Sequence, residues 1–331
     1  MEEFNEKLKR IEWLDITKGL GIFLVVIGHT GIPNVLSAWI WSFHMPFFFL
    51  VSGMLFNYLK YSTLFAFIKK RLITLILPYI IFSIIVYIWA KVLNYDLFKL
   101  RFNELYYGWN GLALWFIPVL FTTEICFYVV KKYCKKVLYI VFAICLFAVL
   151  GYFCYLNNFH LIFKLEVFLT SILFYGVGNL FYKYVIHFFE HTKISILIIE
   201  FPILLVLSFY LAVYNIPRLD MASNTIGHFF YTYMAAFIGI SLIFLLSFAI
   251  SKSKNNFVIN IGQLFSYLGK NTFVILAFHQ IVLMNLKMIF ERFSIPFYLN
   301  SGIRHLLMWS ILFLLILSIN SYCPWVLGKK K

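Results

Sequence analysis

The sequence predicts an all-α, polytopic integral membrane protein of about ten transmembrane helices, and three observations carry that prediction. Hydrophobic residues make up 63% of the 331 residues and charged residues only 12%, with a mean hydropathy of +0.90, well outside the usage of soluble domains. Apolar runs of about 17 to 25 residues recur from end to end, each long enough to cross a hydrocarbon core of roughly 30 Å at about 1.5 Å per residue. Stretches such as Leu72 to Ala90 are apolar without alternation, which excludes a membrane β-barrel built from ten-residue alternating strands.

The spans fall near residues 15–32, 36–59, 71–93, 112–130, 137–155, 165–183, 193–214, 226–250, 271–290 and 303–327. The first follows Lys7, Lys9 and Arg10, as a secretory signal would. Asp15 and Lys18 interrupt it and no small-x-small cleavage site follows, so it is expected to remain as an uncleaved first span behind a short cytoplasmic segment, 1–14. Lys and Arg then alternate between the two sides. With the N-terminus inside, 19 of the 28 fall in inner segments, among them Lys60, Lys69, Lys70 and Arg71, then Lys131, Lys132, Lys135 and Lys136, then Lys252, Lys254 and Lys270. By the positive-inside rule both termini are therefore expected in the cytoplasm, with the chain multi-pass in the cell (plasma or inner) membrane.

No internal repeat and no Gly/Pro/Ser-rich linker divides the chain, so 1–331 reads as one transmembrane domain. The formal net charge of +15 comes from short clusters between apolar runs rather than from one basic face, which argues against a nucleic-acid partner; membrane lipids are the expected surroundings. The five cysteines form no CxxC and have no His at zinc-ligand spacing, so no metal is expected. The outer loop from Asn94 to Gly111 carries Tyr95, Tyr106, Tyr107, Trp109 and Asn110, suited either to stacking on a sugar ring or to an interfacial aromatic belt.

Ionisable side chains inside spans cost on the order of 2.5–3.5 kcal/mol each at a helix centre and need a reason. Here they are Lys18, His29, His44, Glu124, Glu166, Glu200, His279 and Lys287. His29 lies 11 residues beyond Lys18, about 16 Å further along the first helix. The short turn through Gly31, Ile32, Pro33 and Asn34 makes the first two helices antiparallel neighbours, so His29 and His44 are expected at similar depth. Two such imidazoles supply a proton acceptor and an orienting or polarising partner, although a lone buried His is more often a satisfied packing residue. Asp15 and Lys18 share a helical face as an ion pair or as a cation at a cytoplasmic entrance. Residue counting puts Glu124, Glu200 and His279 in the cytoplasmic halves of their spans, where they could line one polar cavity or make structural hydrogen bonds.

Five segments carry a family resemblance: WLDITKGLGIFLVVIGHT (13–30), FHMPFFFLVSGMLF (43–56), FIKKRLITLILPY (67–79), LWFIPVLFTTEI (114–125) and LGKNTFVILAFHQ (268–280). Together they resemble the acyltransferase-3 family of membrane acyltransferases, close to its sugar O-acetyltransferase, fucose 4-O-acetylase-like branch. The resemblance implies a ten-helix domain that moves an acetyl group from acetyl-CoA onto a hydroxyl of an envelope or exported glycan or its lipid-linked precursor. It also implies that His29 is catalytic, with His44 beside it. The family often has Arg where Lys18 stands, and Lys lacks the bidentate fork. Its basic motif on the third helix corresponds to Lys69, Lys70 and Arg71, with Thr74 where a second Arg is usual. These cations, with Lys18, are the expected donor-binding set, and Asp15, Glu124 and His279 are candidate cavity-lining residues. The rival from another class is a glycan or lipid exporter with a buried His/Glu proton relay, for which Pro202 beside Glu200 is the main feature. A membrane sensor or scaffold, which needs no buried dyad, is a third reading.

Overall fold

The computed structural model describes residues 12–92, 112–161, 164–192, 194–294 and 301–327; the aromatic outer loop 94–111 lies outside them. Among the described residues there is no strand, only an isolated bridge between Asp220 and Thr225. The long helices in chain order are α1 (Glu12–Gly28), α2 (Asn34–Leu55), α3 (Leu64–Arg71), α4 (Leu77–Val92), α5 (Phe116–Tyr133), α6 (Val137–Leu156), α7 (Leu165–His191), α8 (Ile194–Tyr214), α9 (Phe229–Lys252), α10 (Asn256–Lys270), α11 (Thr272–Arg292) and α12 (Ser301–Tyr322).

Among the described residues eight segments are long and apolar enough to cross a bilayer: α2, the α3–α4 run over Leu64–Trp89, α5 with its preceding turn over Ala113–Tyr133, α6, α7, α9, α11 and α12. The other two expected spans fall on α1, which has 17 residues, and on α8, whose apolar stretch is Ile199–Tyr214. The sequence placed an inner loop between the eighth and ninth spans, and the structure puts helix α10 there. Its start is capped by Asn255, whose side chain accepts from the Phe257 amide at 2.9 Å. Its inward face carries Gly262, Ser266, Leu268 and Gly269, all buried, while Phe257 and Leu264 are exposed.

Where there is no water to exclude between helices, close approach of small residues replaces the hydrophobic effect as the packing device. Two interfaces show this. A Cβ on Gly19 of α1 would lie 1.9 Å from the Phe265 carbonyl oxygen of α10, and one on Gly269 would lie 1.9 Å from the Asp15 carbonyl oxygen. Gly53 of α2 and Gly178 of α7 face the Tyr175 and Leu50 carbonyl oxygens in the same way. Polar bonds reinforce the second contact: Asn179 Nδ2 on α7 donates to the carbonyls of Gly53 (3.1 Å) and Phe56 (2.9 Å) at the end of α2.

The α1–α2–α9–α11 side forms the interior, and α6 and α12 are peripheral, with only 28% and 22% of their apolar windows buried. Between α3 and α4 the helix widens into a π-turn over Leu72–Ile76. Pro78, just beyond it, has no N–H to offer the Thr74 carbonyl and crowds it, and a wider turn relieves that crowding.

Candidate functional site

The turn after α1 fixes the central residue. Gly31 takes a positive φ of 74° to reverse the chain, and Trp41 Nε1 on α2 donates to the Gly28 carbonyl at 3.2 Å, satisfying an acceptor left open by the helix end. His29 is thereby held at the top of α1, its ring 5.3 Å from that of Trp41, centroid to centroid. His44, one turn further along α2, lies 5.4 Å from the same indole. The two histidines thus flank Trp41.

His44 is 3% exposed, and its Nδ1 is 3.0 Å from the Ile40 carbonyl. A carbonyl accepts only, so Nδ1 carries the hydrogen and Nε2 is left with a lone pair. His279 on α11 is tied in the same way to Ile275 (2.9 Å) and Leu276 (3.0 Å). Its Nε2 is buried without a hydrogen-bond partner, and its ring lies 5.3 Å from that of His29. Residue counting along α11 had placed His279 toward the basic end, away from His29. The structure brings them together because α11 starts level with the Lys18 end of α1, where Thr272 and Lys18 line one cavity, and about 10 Å of helical rise carries His279 up to the His29 ring.

Gln280 connects His29 to the backbone. Its Nε2 lies 3.2 Å from each ring nitrogen of His29, facing the ring edge between them. Its Oε1 accepts from the Ala113 amide at 2.9 Å, which fixes the orientation of the carboxamide. An amide N–H so directed can donate to an imidazole nitrogen that carries no hydrogen, which orients the ring.

His29, Trp41, His44 and Gln280 line a cavity of about 170 Å³ together with Trp115, Asp220 and Ala222. Its outer wall is the ordered loop between α8 and α9. Asn215 braces that loop by donating to the Ile226 carbonyl (3.2 Å) and Thr232 Oγ1 (2.9 Å) and accepting from the His228 amide (2.8 Å). Arg218 of the same loop places its guanidinium 4.1 Å over the Trp41 ring and donates to Ser37 Oγ. Lys164 ties the start of α7 to the loop through the Ala222 carbonyl at 2.6 Å. Burial lowers the pKa of this lysine, and Glu166 and Asp220 pull it back up.

A second cavity, of about 160 Å³, lies on the basic side and has Lys18 at its edge. Lys18 pairs with Asp15 at 2.7 Å. Eleven residues are close to three helical turns, so Lys18 and His29 stand on one stripe of α1, which explains how one helix serves both cavities.

The remaining expected residues separate. Lys69 and Lys70 are exposed at the basic end of α3. Arg71 points inward to Glu124, with Nη2 donating to Oε1 at 2.9 Å and Nε lying 2.7 Å from Oε2. Glu124 therefore belongs to an ion pair at the basic end, and Glu200 lines a separate apolar groove of about 460 Å³ with residues of α7 and α9. The single polar cavity expected for Glu124, Glu200 and His279 does not form. Glu166 accepts from the Leu161 amide at 3.0 Å at the opposite end. Gln280, Trp41, Arg218 and Asp220 were not singled out from the sequence. Gln280 stood inside a recognised segment but carries no charge, and the other three reach the site only through the fold of the α8–α9 loop and the α1–α2 turn.

Among the described residues no group of three or more His, Cys, Asp or Glu converges as a metal site. No curated protein and no solved structure matches the chain. A family model described as an acyltransferase domain, that of acyltransferase-3, matches residues 11–327, nearly the whole length. With its bundle of apolar helices, the chain belongs to the acyltransferase-3 family and is a multi-pass membrane acyltransferase.

Proposed function

We propose that the protein is an O-acetyltransferase that takes an acetyl group from acetyl-CoA at its basic face and delivers it to a hydroxyl of an envelope or exported glycan or its lipid-linked precursor. The observation that carries this reading is the arrangement of His29. Its ring is oriented by Gln280, lies beside His279 and Trp41, and opens on a cavity shared with His44. An imidazole so placed can take a proton from an incoming hydroxyl. The hydroxyl oxygen bonds to the thioester carbonyl carbon, the carbon–sulfur bond breaks, and the proton held by His29 passes to the departing thiolate to give free CoA. His44, through Nε2, orients the acceptor or polarises the carbonyl. Attack by His29 itself, with an acyl-imidazole then transferred to the hydroxyl, uses the same geometry and the same products.

Trp41 and Trp115, together with Asp220, Gln280 and two histidines, give the cavity apolar walls with a few hydrogen-bonding groups, a combination suited to a sugar ring. The basic ends of the helices, including Lys69 and Lys70, supply cations for the CoA phosphates, and the sugar O-acetyltransferase branch is the closest fit to this pairing of substrates.

Proteoliposomes given radiolabelled acetyl-CoA and an envelope glycan test the assignment. Label appearing in ester linkage on the glycan, with stoichiometric release of CoA thiol, is the expected result. Movement of unmodified glycan across the bilayer with no label incorporated would assign the buried histidines to an exporter instead.

A further inference from the structure

The two cavities described above touch at one side chain. Met45 lines both the His29 chamber and the Lys18 chamber, with no other of the described residues common to the two. The helices around it contribute to both in register. α1 supplies Lys18 and Ile22 below and Val25 and His29 above; α11 supplies Leu276 below and Gln280 above. The two spaces are therefore stacked along one seam of the bundle, and Met45 is the septum between them.

At about 170 and 160 Å³, each chamber is smaller than the roughly 300–1,000 Å³ of a cleft that encloses a drug-sized ligand. The lower one is walled by Ile22, Phe48, Leu120 and Leu276, so it suits a slender, largely apolar chain rather than a nucleotide. A thioester carried by such a chain from the Lys18 side reaches His29 only past Met45. Methionine is suited to that position because it is unbranched, with three rotatable bonds, and can swing without moving the backbone. The backbone beneath it is also loosened. Pro46, the next residue, lies inside α2 and offers no N–H to the Ser42 carbonyl, so the turn carrying His44 and Met45 lacks one helical hydrogen bond.

We infer that Met45 is the gate between a donor-arm chamber and the acceptor chamber, and that its side chain sets the length of acyl group the enzyme transfers. This rests on the acyl-CoA reading above. The acyl carbon must sit at the septum when the hydroxyl attacks, so the space beside the thioether is the space available to the acyl tail. Shortening residue 45 enlarges that space, and blocking it cuts the thioester off from His29.

The full-length protein in membranes is supplied with acetyl-, propionyl- and butyryl-CoA, and kcat/KM is compared between wild type and Met45→Ala, with CoA binding as the measure of folding. One methylene in an apolar pocket is worth about 10- to 200-fold, so Met45→Ala should raise the butyryl-to-acetyl ratio by at least about tenfold. An unchanged ratio beside an active wild type overturns the inference and leaves the transferase reading standing. A wild type that transfers no acyl group from any of the three donors overturns both. An independent variant, Met45→Cys in a background without the native cysteines, should transfer acetyl until it is alkylated by an aryl maleimide, whose adduct is much larger than the native methionine, and should be protected by bound acyl-CoA. Full activity after complete alkylation would show that the thioester does not pass residue 45, which also overturns the inference.

Discussion

Arg71 and Glu124 form a two-point ion pair across α3 and α5, with Nη2 2.9 Å from Oε1 and Nε 2.7 Å from Oε2. The carboxylate side chain is 3% exposed and the guanidinium 24%. The pair anchors the basic end of α3, with Arg71 also 5.6 Å from the centre of the Phe67 ring. Removing the cation alone leaves a buried carboxylate without its partner, a change that costs about 3–5 kcal/mol in fully buried pairs. Arg71→Met should therefore destabilise the protein by about 3 kcal/mol, reduced because Arg71 is partly solvated. The double variant Arg71→Met/Glu124→Gln should recover more than half of the loss. Unfolding in detergent by denaturant checks it, and equal stability of the two variants would contradict the pairing.

With Arg71 committed to Glu124, Lys69 and Lys70 become the exposed cations of that cluster. Replacing both with Gln should weaken acetyl-CoA binding by about three- to tenfold at low salt, and the difference should shrink as salt rises, because exposed charges are screened within about 10 Å at 0.1 M. Titration of the purified protein with acetyl-CoA at two ionic strengths measures this. An identical dissociation constant at both would leave the pair with only a topological role.

The sequence disclosed the fold to a large extent, because long uninterrupted apolar runs admit few alternatives in a bilayer. It did not disclose α10, since its apolar residues are spaced for one face and its polar ones read as a loop. That His29 and His44 would stand near one another was legible because a short turn sets α1 and α2 side by side, whereas Trp41 between them was not. The neighbourhood of His279 was not, because the depth of a residue in α11 depends on how that helix meets α1, which counting along the chain does not reveal. Arg71 illustrates the same limit: its charge and its end of the bundle were readable, but its partner, 53 residues away, was set by packing. Gln280 was missed for a different reason, as an uncharged amide gives no signal of cost inside a span.

At the α1–α10 contact, a methyl group on Gly269 would meet the Asp15 carbonyl oxygen at 1.9 Å, a separation at which the backbones must part. Gly269→Ala should shift α10 off α1, disturb the Asp15–Lys18 pair and lower the melting temperature in detergent by several degrees. Gly302→Ala, with open space around it, is the matched control and should leave stability within about 0.5 kcal/mol of wild type. Equal melting of the two variants would contradict the close approach.

Gln280 acts through His29 and is a positioning residue. Gln280→Leu keeps the volume but removes both the contact to the imidazole and the acceptor for the Ala113 amide. Transfer should fall about 10- to 100-fold in kcat with little change in the KM for acetyl-CoA, since supporting hydrogen bonds orient the reacting group rather than bind the donor. Gln280→Glu, which keeps the acceptor oxygens, should retain more activity than Leu. Steady-state kinetics in membranes separates these effects, and a raised donor KM at unchanged kcat would place Gln280 in donor binding.

The central claim is that His29 handles the proton, or the acyl group itself, during transfer. His29→Ala removes that group while keeping a residue well suited to a membrane helix, so insertion and CoA binding should survive. The deciding measurement is acetylation of acceptor glycan by membranes containing equal amounts of wild type, His29→Ala and His44→Ala. Loss of a general base costs about 10²–10⁴ in rate, so His29→Ala should fall by at least two orders of magnitude and His44→Ala by a smaller factor. Near-normal acetylation by His29→Ala would contradict the account and make His279, the neighbouring imidazole with an unpartnered Nε2, the next group to test.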